Sequence, residues 1–206
     1  VHNIDLDIGK LKACDIYSLN VSFESESANV QRKTLEFSVI KTDPNGIKDD
    51  FMYVVTHTGG TDYKTDEVNQ QLQLVNMANF RGIRTTLNWS AYEQTKDVRK
   101  LSESQKATVD GLRRYNLKLL CTLAYNNRLY MQDGLILPSG ISESKYNVCL
   151  PITNEELGGW SKYVESISRE VRDIADVYML WNEPADISFD WRTNKDAAAY
   201  VNLAKV

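Results

Sequence analysis

Asp176-Val177-Tyr178-Met179-Leu180-Trp181-Asn182-Glu183-Pro184 is the stretch on which the reading of this chain turns. Residues 176–181 read as a strand, rich in β-branched, aromatic and long apolar side chains. The run lacks the polar alternation of a half-solvated strand, so it suits a parallel sheet covered on both faces. It closes on an amide, a carboxylate and a proline. Proline cannot donate to a sheet ladder, so Pro184 ends the pairing and turns the chain.

Upstream, the same pattern occurs three more times. Phe51 to Val55 is a short apolar run ending at Thr56-His57-Thr58-Gly59-Gly60. Residues 66–80 carry apolar side chains at Val68, Leu72, Val75 and Met77 or Ala78, the spacing of a helix with an acidic first turn. Ile83 to Leu87 and Leu117 to Leu123 are further strands. Ser102 or Ser104 caps a helix reaching Tyr115. A long loop over 125–152 precedes Thr153-Asn154-Glu155-Glu156, a capping box that opens a helix to Ile174. Trp160 and Tyr163 fall on that helix as core residues. A fourth helix begins at Asp196. Four strand–helix units define an α/β domain, open and doubly wound or closed as a (β/α)8 barrel. No GxGxxG or GxxxxGK[ST] follows the first strand, which removes the commonest nucleotide-binding versions.

The first forty residues differ. Tyr17, Leu19, Val21 and Phe23 alternate with Ser18, Asn20 and Ser22; Leu35, Phe37 and Val39 alternate with Glu36 and Ser38. Period two predicts half-buried antiparallel strands, with the polar stretch Glu24 to Lys33 as their connection. Asp43-Pro44-Asn45-Gly46 is a strong turn signal. Residues 1–45 are therefore expected to be the tail of an accessory β-sandwich, and residues 50–206 a separate domain.

Composition narrows the partners. The 206 residues carry 24 Lys and Arg against 28 Asp and Glu, a net charge of −4. With no basic run longer than Arg113-Arg114, a nucleic-acid partner is disfavoured. Charged residues at 25% and hydrophobic ones at 42% exclude a collagen-like or disordered chain. No apolar stretch approaches the ~18 residues of a membrane span, and residues 1–10 lack the features of a signal peptide. Cys14, Cys121 and Cys149 form no CxxC pair, which argues against structural zinc. The chain starts at Val1 and stops within a helical stretch, so it is expected to be a piece of a longer polypeptide.

Glu183 stands directly after a strand, where barrel enzymes place catalytic groups. Trp181 would supply an apolar wall that desolvates its carboxyl, an environment suited to a general acid. The Asn182 amide can bind a substrate hydroxyl. Trp181-Asn182-Glu183-Pro184 in this position resembles glycoside hydrolase clan A, the retaining (β/α)8 glycosidases. Gly82 to Glu93 resembles the clan's second-strand segment, with Arg84 followed five residues later by Trp89. Leu117 to Tyr125 resembles the third strand, and Trp160 to Val164, running on to Asp176-Val177-Tyr178, the helix leading into the acid/base strand. The character is nearest to family 39 and its relatives, then family 5, over residues 50–206.

The resemblance implies the first half of a (β/α)8 TIM barrel, units one to four. It implies Glu183 as acid/base, Asn182 on the sugar 2-hydroxyl, Arg84 against the nucleophilic carboxylate and His57 in the substrate site. Tyr125 either lines the sugar pocket or caps the third strand, and Trp191 either stacks on a sugar ring or anchors a loop. No metal or organic cofactor is implied; the partner is a carbohydrate, and secretion or cell-surface location goes with the family. A retaining glycosidase takes two carboxylates about 5–5.5 Å apart, the second after the clan's seventh strand. Glu93, Glu155 and Glu156 do not substitute, lying after the second strand or at a helix start. The chain is thus expected to carry the acid/base without the nucleophile, to need the C-terminal half of the same polypeptide, and to be inactive alone. Two rival readings are a catalytically inactive carbohydrate-binding barrel and an unrelated barrel lyase or isomerase using Glu183 as proton donor.

Overall fold

The computed structural model describes residues 16–25, 28–38, 53–56, 64–131, 148–183 and 197–206. The chain divides into two compact units: residues 1–47 with 77–79, and the remainder.

In the first unit, strands β1 (Ile16–Ser25) and β2 (Ala28–Ser38) pair antiparallel, with Tyr17 opposite Phe37 and Leu19 opposite Leu35. Tyr17, Leu19 and Val21 are half-buried while Ser18, Asn20 and Ser22 are exposed, the alternation the sequence predicts. The Tyr17 and Phe37 rings stack at 5.7 Å. The strands run further into the polar stretch than expected: β2 already begins at Ala28. The main-chain ladder does not depend on side-chain polarity, so polar residues continue it on a solvated hairpin.

In the second unit, strands β3 (Tyr53–Val55), β4 (Gly82–Thr86), β5 (Lys118–Leu123) and β6 (Ala175–Leu180) form one parallel sheet in the order β3-β4-β5-β6. Between them lie helices α1 (Thr65–Met77), the short α2 (Trp89–Tyr92), α3 (Glu103–Arg114) and α4 (Asn154–Val171); α5 (Ala197–Lys205) follows β6. Doubly wound sheets reverse their strand order at a switch point. Four strands in strict sequence order have no such point, and that is the order of a (β/α)8 barrel. Part of such a barrel is therefore the architecture.

Local chemistry starts the helices where the sequence predicts. Ser102 caps α3, its Oγ accepting from Gln105 N at 3.3 Å while Gln105 Oε1 accepts from Ser102 N at 3.1 Å. Thr153 and Glu156 form the same reciprocal box at α4. The long 125–152 loop is not structureless at its start: Arg128–Tyr130 is a 3-10 turn.

One face of the sheet is covered by helices along β4 and β5, while Tyr178 of β6 on that face is 41% exposed. Ile83, Leu119, Cys121 and Leu123 pack in a common core with Val68 and Leu72 of α1, Val109 and Leu112 of α3, and Tyr163 and Ile167 of α4. Burial pushes the Cys121 thiol up to about 12. The other face is more open. Val55, Arg84, Leu120 and Val177 share one register row there, with Val55 60% and Val177 48% exposed. That is the face a barrel encloses, and among the described residues it is not covered as the apolar runs led one to expect. At Gly82 the β5 backbone comes so near that a Cβ would lie 1.8 Å from the Lys118 carbonyl oxygen.

At the N-terminal edge, the β5–β6 register slips between Leu119 and Leu120, opposite Asp176. Such an irregularity re-aims a side chain. The Asp176 carboxylate accepts from Tyr53 Oη at 2.8 Å and from Arg81 Nη2 at 3.0 Å and Nε at 3.2 Å, tying β3, β4 and β6 together. Burial alone would push Asp176 up, but these hydrogen bonds outweigh it and hold the carboxyl below its ordinary range. Contacts at this end of a barrel serve stability.

Candidate functional site at the C-terminal strand ends

Parallel pairing delivers the ends of β4, β5 and β6 to one edge. The ladder continues past the strands there: Trp181 N donates to Leu123 O at 2.9 Å and Trp89 N to Ala124 O at 3.2 Å. Three predicted residues meet on this edge. Arg84 Nη2 donates to Asn182 Oδ1 at 2.8 Å, and Asn182 Nδ2 donates to Tyr125 Oη at 3.2 Å. All three side chains are half-buried, and Glu183 beside them is exposed. Burial raises the Tyr125 pKa; the Glu183 charge adds to the rise, while the Asn182 hydrogen bond and Arg84 oppose it. The hydroxyl therefore stays protonated across the neutral range.

One expectation is corrected. Trp181 does not wall off Glu183. Its ring is 1% exposed and packs inward, 5.5 Å from Trp160 of α4 and 5.7 Å edge-on to Tyr125. The cause lies in the backbone: Trp181 and Glu183 take left-handed conformations, at φ 64° and 50°. These turn the chain so that 181 points into the core and 183 out of it. Non-glycine residues held this way mark positions over-determined by their surroundings. His57, Pro184 and Trp191 lie outside the described residues.

Trp160 and Tyr163 are core residues, as the helical spacing predicts. With Trp89, Trp181 and Tyr130 they form an aromatic layer whose ring centres lie 4.9–5.9 Å apart. This layer sets the floor under the strand ends. Five buried side-chain polar atoms among the described residues have no hydrogen-bond partner; four of them, on Asn88, Thr122, Asn126 and Trp181, belong to this same edge.

Glu93 is the residue whose importance the sequence did not reveal. It is fully buried. Its Oε2 accepts from Trp89 Nε1 at 2.8 Å, and its Oε1 from Asp97 N at 2.6 Å, Arg99 Nη2 at 3.0 Å and Tyr130 Oη at 2.6 Å. Asn127 Nδ2 donates to its carbonyl oxygen at 2.8 Å. This one carboxylate locks the loop after β4 to the loop after β5. Burial, then the Glu93 carboxylate, pushes the Tyr130 phenol up to about 12. The one local clue was the Trp89–Glu93 spacing of one helical turn. Fully buried and held by four donors, this carboxylate is closed off from the solvent side of the strand ends. Among the described residues no group of three or more His, Cys, Asp or Glu side chains could hold a metal ion.

No family model and no curated protein matches the chain. Solved structures do. A family 39 glycoside hydrolase from the gut symbiont Bacteroides cellulosilyticus WH2 superposes with a TM-score of 0.61 at 22% identity, over 92% of this chain and 36% of that one. A β-glucosidase from Exiguobacterium marinum superposes with a TM-score of 0.50 at 13% identity, over 77% of this chain and 43% of that one. The chain therefore shares part of a (β/α)8 barrel fold with these structures, the fold that the motif resemblance implied. It spans well under half the length of either structure.

Proposed function

We propose that this chain carries the acid/base part of a retaining glycosidase acting on a β-linked saccharide. The observation that carries the reading is the hydrogen-bonded set Arg84–Asn182–Tyr125 beside the Glu183 carboxyl, at the C-terminal edge of a glycosidase-type sheet. In the first step Glu183 gives its proton to the glycosidic oxygen while a second carboxylate bonds to the anomeric carbon and the alcohol leaves. In the second step Glu183 takes a proton from water, the oxygen attacks the anomeric carbon, and the second carboxylate is released. The exposure of Glu183 suits a group that must meet both leaving group and water. Glu93 is committed elsewhere, so this reading puts the second carboxylate on a strand that completes the barrel, reached across the open face by Arg84. No metal or organic cofactor enters either step.

The test is Glu183→Gln in the intact protein. Turnover of saccharides with poor leaving groups should fall by about 10²–10⁴-fold, and turnover of activated aryl glycosides should fall far less in the first step, which needs no proton. Equal losses on both would remove the acid role. Saccharide binding without turnover in the intact wild type would instead support a catalytically inactive carbohydrate-binding barrel.

A further inference from the structure

We infer that Tyr125 is a positioning residue that sets, through Asn182, which substrate hydroxyl the site accepts; the inference rests on the saccharide reading above. An asparagine amide fits either way round, and chemistry must decide between the two. Arginine has donors only, so the amide oxygen faces Arg84, at 2.8 Å. The amide nitrogen then faces Tyr125, at 3.2 Å, and the phenol oxygen accepts. Each end of the amide is thus held from a different strand: Arg84 within β4, Tyr125 just after β5.

One lone pair of Oδ1 and one N–H of Nδ2 are spent in this way. Among the described residues one of each remains, and both lie in the amide plane. A donor and an acceptor on one amide match a group that accepts and donates at once, which is a hydroxyl. Tyr125 is itself held by packing. Its ring meets the buried Trp181 edge-on at 5.7 Å and 87°. Losing the phenol oxygen would leave that packing intact. Arg84 would still hold the oxygen end, but the nitrogen end could swing toward another acceptor, and the match to the hydroxyl would be lost.

The experiment measures kcat/KM of the intact protein and of Tyr125→Phe on an aryl β-glycoside, and on its analogue lacking the hydroxyl next to the anomeric carbon. One neutral hydrogen bond is worth about fivefold. The variant should lose about that factor or more on the hydroxylated substrate, and less than about twofold on the deoxy one. In an Asn182→Ala background, Tyr125→Phe should cost nothing further. Tyr125→His, whose ring nitrogen can accept, should recover part of the loss; it carries the same comparison should Tyr125→Phe melt early. Equal losses on the two substrates, or full additivity with Asn182→Ala, would assign Tyr125 a merely structural role and overturn the inference. If Glu183→Gln behaves as an acid variant while Tyr125→Phe does not discriminate, this inference alone falls. If the wild type turns over no saccharide, the saccharide reading falls and takes the inference with it.

Discussion

Replacing Glu93 by glutamine leaves the shape of the side chain and removes its charge. Four donors converge on that carboxylate at 2.6–3.0 Å, and it is fully buried. Glutamine keeps one acceptor atom and turns the other into a donor. Either the indole of Trp89 or the trio of Asp97 N–H, Arg99 and Tyr130 then faces an N–H group. The Arg99 guanidinium, 15% exposed, keeps Tyr130 Oη at 3.0 Å and the Asp97 carboxylate at 3.2 Å but loses its buried charge partner. Breaking one side of such a buried pair costs about 3–5 kcal/mol. For a chain of this size each kcal/mol is worth about 2–4 °C, so Tm should drop by about 6–20 °C. Calorimetry reads the drop, and amide exchange at Asp97 N–H reads whether the loop after β4 has come loose. A drop under about 3 °C with unchanged exchange would mean that the carboxylate does not hold the two loops together.

Three further outcomes follow from neighbouring features. In α4, Gly159→Ala should destabilise by about 1–3 kcal/mol, because its Cβ would lie 2.5 Å from the Tyr130 ring. Adjacent Gly158 has nothing within 4 Å, so Gly158→Ala should stabilise by about 0.5–1 kcal/mol; paired chemical melts check the opposite signs. Tyr130 holds its proton up to about 12 in the folded chain and to about 10 unfolded. The folded state thus binds more protons in that window, and stability should fall as pH rises through it; Tyr130→Phe should flatten the slope. Asp173, beside Arg113, and Asp176 titrate below the ordinary carboxylate range. They add stability at neutral pH that is lost as pH falls through their folded values, and Asp176→Asn should shallow the acid limb of a pH–Tm curve.

The strands and helices of the second unit were legible because their signals are local. Apolar runs mark β4 to β6, Val68-Leu72-Val75 marks α1, and two capping boxes mark the starts of α3 and α4. Arg84, Tyr125 and Asn182 were legible as candidates because each falls in or just after a strand, and parallel pairing alone brings such positions together. The Glu93 cluster was not legible. Arg99 and Tyr130 lie 6 and 37 residues away in the chain, and only folding makes them neighbours. The direction of Trp181 was not legible either: neither Trp181 nor Glu183 carries any compositional sign of a left-handed backbone. The open second face escaped because an apolar run says that a strand is buried, not what buries it.

The two left-handed residues have a consequence for engineering. Trp181 at φ 64° and Glu183 at φ 50° hold conformations that cost a side-chain-bearing residue about 1–3 kcal/mol each. A library selected only for heat resistance would therefore favour glycine or asparagine at 183, since both relieve the torsion, and every such winner would have lost the carboxyl. Hardening this protein while keeping that carboxyl means freezing positions 181–183 and taking the gains in ordinary helix, Gly158 first.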